Sequence, residues 1–217
     1  AEELKHLFGN RCSLLFPIFF RLMAEKAKNL ALPGVEVDVT HVTRAPKLVA
    51  SYEDQAISGE EMMEIVRGRG QDYDAFVVAC HSDPNLDLVR EITDKPVVGI
   101  AEASIKIGAA MGNGYAVISP GPKSISKKIA LARKYHCDDL LRTIKVSRSD
   151  DKEDLLKAAQ EARKEFGVDV IVLGCANYTT ADGYIERELG CPVLDGVACA
   201  LFLAAGLVSY QKCKRKF

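Results

Sequence analysis

The chain is predicted to be an α/β protein with parallel sheets, assembled from two copies of one half-domain. Three observations carry this. Short β-branched runs alternate with longer helical ones along the chain. Several of the short runs are apolar throughout, as expected of strands covered on both faces of a parallel sheet. One segment of the first half, Asp74-Ala-Phe-Val-Val-Ala-Cys80, returns in the second as Asp169-Val-Ile-Val-Leu-Gly-Cys175.

In chain order, residues 35–42 alternate Val35, Val37 and Val39 with Glu36, Asp38 and Thr40, the period of a strand with one buried face. Residues 58–67 predict a helix with Met62, Met63, Ile65 and Val66 on its buried side. Residues 75–79 form a continuous apolar strand, 85–92 a short helix, and 96–100 a second buried strand. Residues 104–111 are helical and end at the turn Gly112-Asn-Gly114, and strand 115–119 leads into the loop Pro120-Gly-Pro122. The clearest helix is 150–166. It opens on Ser149 or Asp150 as N-cap, turns Leu155, Leu156, Ala159, Ala162 and Phe166 to the core, and stops at Gly167. A buried strand at 168–174, a short helix at 182–189, a strand at 192–194 and an apolar helix at 197–210 complete the pattern.

A chain of 217 residues can bury a substantial core, and 48% hydrophobic with 27% charged residues is ordinary for a soluble globular protein. The net charge is −1 with both signs interspersed, so no basic stripe for nucleic acid is present. Lys212, Lys214, Arg215 and Lys216 read as a solvated tail. The seven cysteines are Cys12, Cys80, Cys137, Cys175, Cys191, Cys199 and Cys213. They form no CxxC pair and no disulfide framework, which points to a reducing compartment. The apolar run at 14–20 contains Pro17 and is too short to span a bilayer or to serve as a secretory signal. The expectation is a cytoplasmic homo-oligomer acting on a small molecule, with neither nucleic acid nor membrane as partner.

The repeat places two cysteines alike. Each Asp stands six residues before its Cys, and Pro-Val follows at Pro96 and Pro192, sixteen and seventeen residues beyond. Duplicated half-domains related by a pseudo-two-fold axis explain this. Each cysteine then lies just past the C-terminal end of a buried strand, where open α/β sheets bind ligands. Backbone N–H groups and a helix dipole there favour anions, a thiolate included. If the halves face one another, the sulfurs approach from opposite sides. One thiolate then removes a proton from a carbon acid and the other thiol returns one to the opposite face. Either cysteine by itself could equally be core packing; the equivalence of the two argues for chemistry. Cys137, Cys191, Cys199 and Cys213 have no such counterpart and read as structural. No zinc spacing or pyridoxal phosphate motif is present, and Gly112-Asn-Gly114 precedes a strand, so it is no nucleotide fingerprint. No cofactor and no metal are expected.

At these residues the chain resembles the aspartate/glutamate/hydantoin racemase superfamily, most closely its hydantoin and allantoin racemase branch. The matching pieces are Ser51-Tyr-Glu-Asp-Gln-Ala56, Asp74 to Pro84 with Ala-Cys-His-Ser-Asp-Pro, and Pro96-Val-Val-Gly-Ile-Ala-Glu-Ala103. Ala116-Val-Ile-Ser119, Leu173-Gly-Cys-Ala176 and Pro192-Val-Leu-Asp-Gly-Val197 follow in the family's order. The resemblance implies two pseudo-symmetric Rossmann-like lobes, each a parallel sheet flanked by helices, with the active site in the cleft between them. Residues 1–97 plus 205–217 would form the lobe carrying Cys80, and residues 98–204 the lobe carrying Cys175.

It further implies a cofactor-independent racemase inverting the carbon next to a carbonyl. Its substrate would be a small cyclic ureide, such as a 5-substituted hydantoin or allantoin, or a related amino-acid derivative. Cys80 and Cys175 would be the two bases. Asp83, Ser119 and the backbone of Ala176 and Asn177 would hold substrate oxygens. His81, beside the first cysteine and no part of that implication, reads as tuning or contacting the loop and is expected among the substrate-binding residues. Glu102 lies in a family motif but can also simply cap the following helix. A metal site at Cys80-His81-x-Asp83 would lack two further ligands. The family's opening Asn-Pro-Asn-Thr loop is replaced here by Leu14-Leu-Phe-Pro-Ile-Phe-Phe20, which keeps the proline alone and tilts the reading towards an apolar ring substituent. The alternatives are a decarboxylase or cis-trans isomerase of the same superfamily, or a non-catalytic small-ligand binder.

Overall fold

The computed structural model describes residues 10–16, 35–44, 49 and 51–214, with residues 10–16 described by their backbone. The chain divides into two compact units, Ala1–Gly99 with Ala200–Phe217, and Ile100–Cys199. In the first unit β1 (Asn10–Phe16), β2 (Val35–His41), β3 (Ala75–Val78) and β4 (Val97–Gly99) form a parallel sheet in the order β2-β1-β3-β4. In the second, β5 (Tyr115–Ser119), β6 (Leu141–Val146), β7 (Val170–Leu173) and β8 (Val193–Asp195) form a parallel sheet in the order β6-β5-β7-β8. Counted from the first strand of each half, the two orders are identical.

The registers agree as well. Val78 in β3 stands opposite Leu15 and Gly99, and Leu173 in β7 stands opposite Ile118 and Asp195. Val78 and Leu173 each lie two residues before their cysteine. The Asp-x5-Cys repeat is therefore a repeat of sheet register. The expected α/β fold of two parallel-sheet lobes flanked by helices is what the chain adopts.

The helices are α1 (Tyr52–Arg69), α2 (Leu86–Glu91), α3 (Ile100–Met111), α4 (Ile125–Lys134), α5 (Lys152–Phe166), α6 (Asp182–Leu189) and α7 (Gly196–Lys214). Met62 and Val66 of α1 and Leu86 and Val89 of α2 pack with Phe76 and Val78 of the first sheet. Leu155, Ala159 and Ala162 of α5 and Ile185 of α6 pack with Ile118, Ile171 and Leu173 of the second. α3 closes on the second sheet at Gly108, where a Cβ would meet Val172 and Leu194 at ordinary contact distance.

Several boundaries differ from expectation. α1 starts at Tyr52 rather than 58, because Ser51 and Asp54 form a capping box: each side chain accepts from the other's backbone N–H, at 3.0 and 2.8 Å. α3 begins at Ile100, directly after β4, instead of at 104. The N-cap position of α5 is Asp151, one or two residues after the expected Ser149 or Asp150; its side chain makes no capping bond, and Ser149 braces the first turn by donating to Asp154 at 2.7 Å. Its Gly167 ends the helix at φ +59 as expected, but Phe166 is exposed and Leu156 half-buried. α4 and β6 were not anticipated. Residues 17–20, on which the remodelled loop falls, and Arg215 and Lys216 of the basic tail lie outside the described residues.

α7 is long and apolar enough to cross a membrane by length and composition, with 44% of that window buried. Val197, Leu201, Ala204, Ala205 and Val208, spaced as one helix face, are buried, while Phe202, Leu207 and Tyr210 are exposed.

Candidate active site

Cys80 follows β3 and is half-buried, whereas the strand behind it is fully buried. The chain turns at once, with the N–H of Asp83 donating to the Cys80 carbonyl at 2.9 Å. The Cys80 Sγ lies 3.1 Å from the Ser82 Oγ, so a hydroxyl faces the sulfur and can donate to it. Asp83 and Asn85 both adopt positive φ, +44 and +57. Non-glycine residues hold such conformations only when the surroundings over-determine them. Here Asn85 donates its side-chain amide to the Gln55 carbonyl at 2.7 Å and to Ser58 Oγ at 3.1 Å, pinning the loop to α1. Helix α2 begins six residues beyond Cys80, close to the expected start at residue 85.

Cys175 follows β7 and is likewise half-buried. It caps a 3-10 turn, Ala176–Tyr178, whose last N–H donates to the Cys175 carbonyl at 3.1 Å. The two cysteines thus open the same type of turn. Behind Cys175 the buried side-chain nitrogen of Lys128 in α4 donates to the Gly174 carbonyl at 2.7 Å, fixing this backbone against α4. Tyr178 is buried with no hydrogen-bond partner for its hydroxyl among the described residues. Burial, with Cys175 and Asp150 nearby, pushes its phenol pKa up, so it stays protonated.

The remaining predicted residues divide. Ala176 and Asn177 are half-buried beside Cys175, with the Asn177 amide donating to Asp150 at 3.2 Å. Ser119 is fully buried at the end of β5, and its hydroxyl bonds the Gly121 carbonyl at 3.2 Å and Ser124 Oγ at 2.5 Å. His81 and Asp83 are buried next to Cys80. Glu102 sits in the first turn of α3, where Lys106 donates to it at 2.7 Å. Among the described residues no group of three His, Cys, Asp or Glu converges as a metal site. Sequence reasoning missed Ser82 and Lys128, since neither a serine in a turn nor a lysine on a helix announces its burial or partner. It also missed Asp195, whose motif was noted without a role.

The cysteines differ in access. Cys213 is exposed, Cys80 and Cys175 are half-buried, and Cys137, Cys191 and Cys199 are buried. Burial pushes the Cys137 and Cys191 thiols up and that of Cys199 up to about 12. Brief iodoacetamide treatment near neutral pH, read by peptide mass spectrometry, is expected to label Cys80, Cys175 and Cys213 and to spare the buried three. Labelling of Cys199 ahead of Cys175 would contradict this assignment.

Known proteins share this fold. A profile of the Asp/Glu/hydantoin racemase family matches residues 18–204. The hydantoin racemase of Paenarthrobacter aurescens is 32% identical over 206 residues, covering 88% of this chain and 87% of that protein. The solved structure of allantoin racemase from Klebsiella pneumoniae superposes with a TM-score of 0.85 at 25% identity, covering 93% of this chain and 89% of that one. Arylmalonate decarboxylase, at a TM-score of 0.67 and 16% identity over 91% of this chain and 92% of its own, shares the fold. A family profile over most of its length and a relative of this identity show that the chain belongs to the Asp/Glu/hydantoin racemase family, and so to the isomerases.

Proposed function

We propose that this enzyme racemises a 5-substituted hydantoin, allantoin or a similar small cyclic ureide, with Cys80 and Cys175 as its two acid-base groups and no cofactor. The observation that carries the reading is the matched register of the two cysteines. Each lies two residues beyond the last paired residue of its own strand and is half-buried, at the C-terminal edge of one of two sheets with the same strand order. Relatives named hydantoin racemase and allantoin racemase support the substrate class.

In the proposed mechanism one sulfur enters as thiolate and takes the hydrogen from the carbon flanked by the ring carbonyl. The electron pair left behind is delocalised onto the carbonyl oxygen as an enolate. The second sulfur enters as thiol and gives its proton to the opposite face of that carbon. The two sulfurs leave with their protonation states exchanged and reset through solvent. The Ser82 hydroxyl can stabilise the thiolate of Cys80. Ser119, His81 and the backbone of Ala176 and Asn177 stay assigned to substrate binding, with Ser119 reaching a substrate oxygen only by giving up a bond within its own turn.

An apolar ring substituent is supported by the register. Leu15 and Ile118 take the same place beside β3 and β7, so Phe16 stands where Ser119 stands in the second half. The seven cysteines without a CxxC pair favour a reducing, cytoplasmic setting.

The test is incubation of single enantiomers of a 5-alkyl hydantoin and of allantoin in deuterium oxide, with and without a strong chelator. Loss of optical activity together with deuterium at the ring carbon, unaffected by the chelator, is the expected result. Carbon dioxide release from a substituted malonate would favour the decarboxylase reading. Binding without exchange would leave a ligand-binding protein, and chelator inhibition reversed by zinc would overturn the cofactor-free mechanism.

A further inference from the structure

We propose that Asp83 and Asp195 are matched positioning residues, each locking its half's cysteine-bearing loop to the end of the neighbouring strand. The carboxylate is supplied by the loop in the first half and by the strand in the second. The proposal rests on the two-thiol reading above.

The two halves can be overlaid residue by residue from their registers. Val78 pairs with Gly99 and Leu173 pairs with Asp195, so Gly99 and Asp195 occupy the same strand-end position. Their flanking sequences agree, Pro96-Val-Val-Gly99 against Pro192-Val-Leu-Asp195. In the second half this position carries a buried carboxylate. Asp195 accepts from the backbone N–H of Thr180 at 3.0 Å and of Val197 at 2.8 Å. Longer bonds come from Ala198 N–H and Thr179 Oγ1, both at 3.4 Å. One side chain therefore ties the Cys175 loop to β8 and to the first turn of α7. Thr180 has φ +75, a conformation a β-branched residue avoids unless held there.

In the first half the same position is glycine, and the space is not empty. A Cβ built on Gly99 would fall 2.3 to 2.5 Å from the Cγ and both oxygens of Asp83. The Asp83 carboxylate thus occupies the volume into which a strand-borne side chain would extend. Asp83 is as buried as Asp195, at 5% against 3% exposure, and it too sits in a loop with left-handed residues. A buried carboxylate is retained only where hydrogen-bonding groups surround it. Both halves therefore keep one carboxylate at one place and reach it from opposite ends of the motif. Asp83 then acts on catalysis through the Cys80 loop and not by touching substrate.

A transplant tests this. The variants are Asp83→Gly, Gly99→Asp, the double Asp83→Gly/Gly99→Asp, Asp195→Ala and the milder Asp195→Asn. Readouts are thermal midpoint, labelling rate of each cysteine by iodoacetamide, and deuterium exchange of each substrate enantiomer. Gly99→Asp alone forces two carboxylates into one space and should melt below the parent, with the double variant melting above it, a favourable coupling in the cycle. Asp83→Gly should cut by tenfold or more the exchange that depends on Cys80 and alter the labelling of Cys80 alone, and the double variant should restore at least part of both. Asp195→Ala should do the same to Cys175 alone. Should it not fold, Asp195→Asn supplies the measurement.

A double variant no better than its two parents overturns the proposal, as does loss spread equally over both cysteines. If the two-thiol reading is what fails, Cys80→Ser or Cys175→Ser will retain racemisation, while the melting cycle and the labelling rates still decide whether the carboxylates are matched.

Discussion

Cys80→Ser and Cys175→Ser are each expected to abolish racemisation while sparing opposite halves of the hydrogen-exchange reaction. In the proposed mechanism one sulfur serves each face of the reacting carbon, so each enantiomer would present its hydrogen to one sulfur only. Removing that sulfur suppresses exchange of that enantiomer. The other enantiomer is still deprotonated by the remaining thiolate and reprotonated from the same side, so it picks up deuterium without inverting. Serine cannot substitute, since its hydroxyl is a far weaker acid than a thiol, whose ordinary pKa is about 8.5. Losing one positioned acid-base group costs roughly 10²- to 10⁴-fold. The measurement is deuterium incorporation into each pure enantiomer by each variant. If one variant loses exchange for both enantiomers and the other loses none, the chemistry belongs to a single cysteine and the two-base scheme fails.

The sequence was most legible where the structure is most regular. Ala75–Val78 and Val170–Leu173 are buried at every position, so composition alone announces two central parallel strands, and the fixed spacing to Cys80 and Cys175 follows from shared register. The edge of the second sheet was not legible. β6 reads Leu-Arg-Thr-Ile-Lys-Val, and its residues are half-buried or exposed, so neither an apolar run nor a clean alternation marks it. α4 hid for another reason: one of its buried positions is Lys128, which a hydrophobic pattern counts as solvent-facing. Phe166 erred in the opposite direction. It completes an apolar stripe on α5 yet is exposed, where the Lys145 ammonium lies 5.3 Å from its ring centre. For the site, the cysteines could be read because repetition marks them. The surroundings of Asp83 and Asp195 could not, because the glycine opposite one and the carboxylate of the other become equivalent only once strands are paired.

Gly174→Ala is expected to damage both stability and turnover, although it installs the residue that stands at the matching place in the first half. Ala79 precedes Cys80 as Gly174 precedes Cys175, and Ala79 is accommodated there with 2% exposure. In the second half the space is taken. A Cβ on Gly174 would lie 2.5 Å from the Ile118 carbonyl oxygen and 2.7 Å from Val117 Cγ1. The same carbonyl accepts the Gly174 N–H at 2.8 Å, so relieving the clash means lengthening the bond that joins the strand ends. β5 cannot yield, because it is paired on both sides, to β6 and to β7. The segment after β7 must move instead, and with it the Gly174 carbonyl held by Lys128 and the sulfur one residue on. Overpacking of this kind costs about 1–3 kcal/mol. At about 2–4 °C per kcal/mol for a chain of this size, the thermal midpoint should fall by several degrees. A displacement of about 1 Å at a reacting group costs on the order of 10²-fold. Exchange of the enantiomer served by Cys175 should fall by about that factor, with the Cys80-dependent exchange much less affected. A variant that melts with the parent and exchanges both enantiomers at the parent rate would show that the contact between β5 and the Cys175 turn does not set the position of the sulfur.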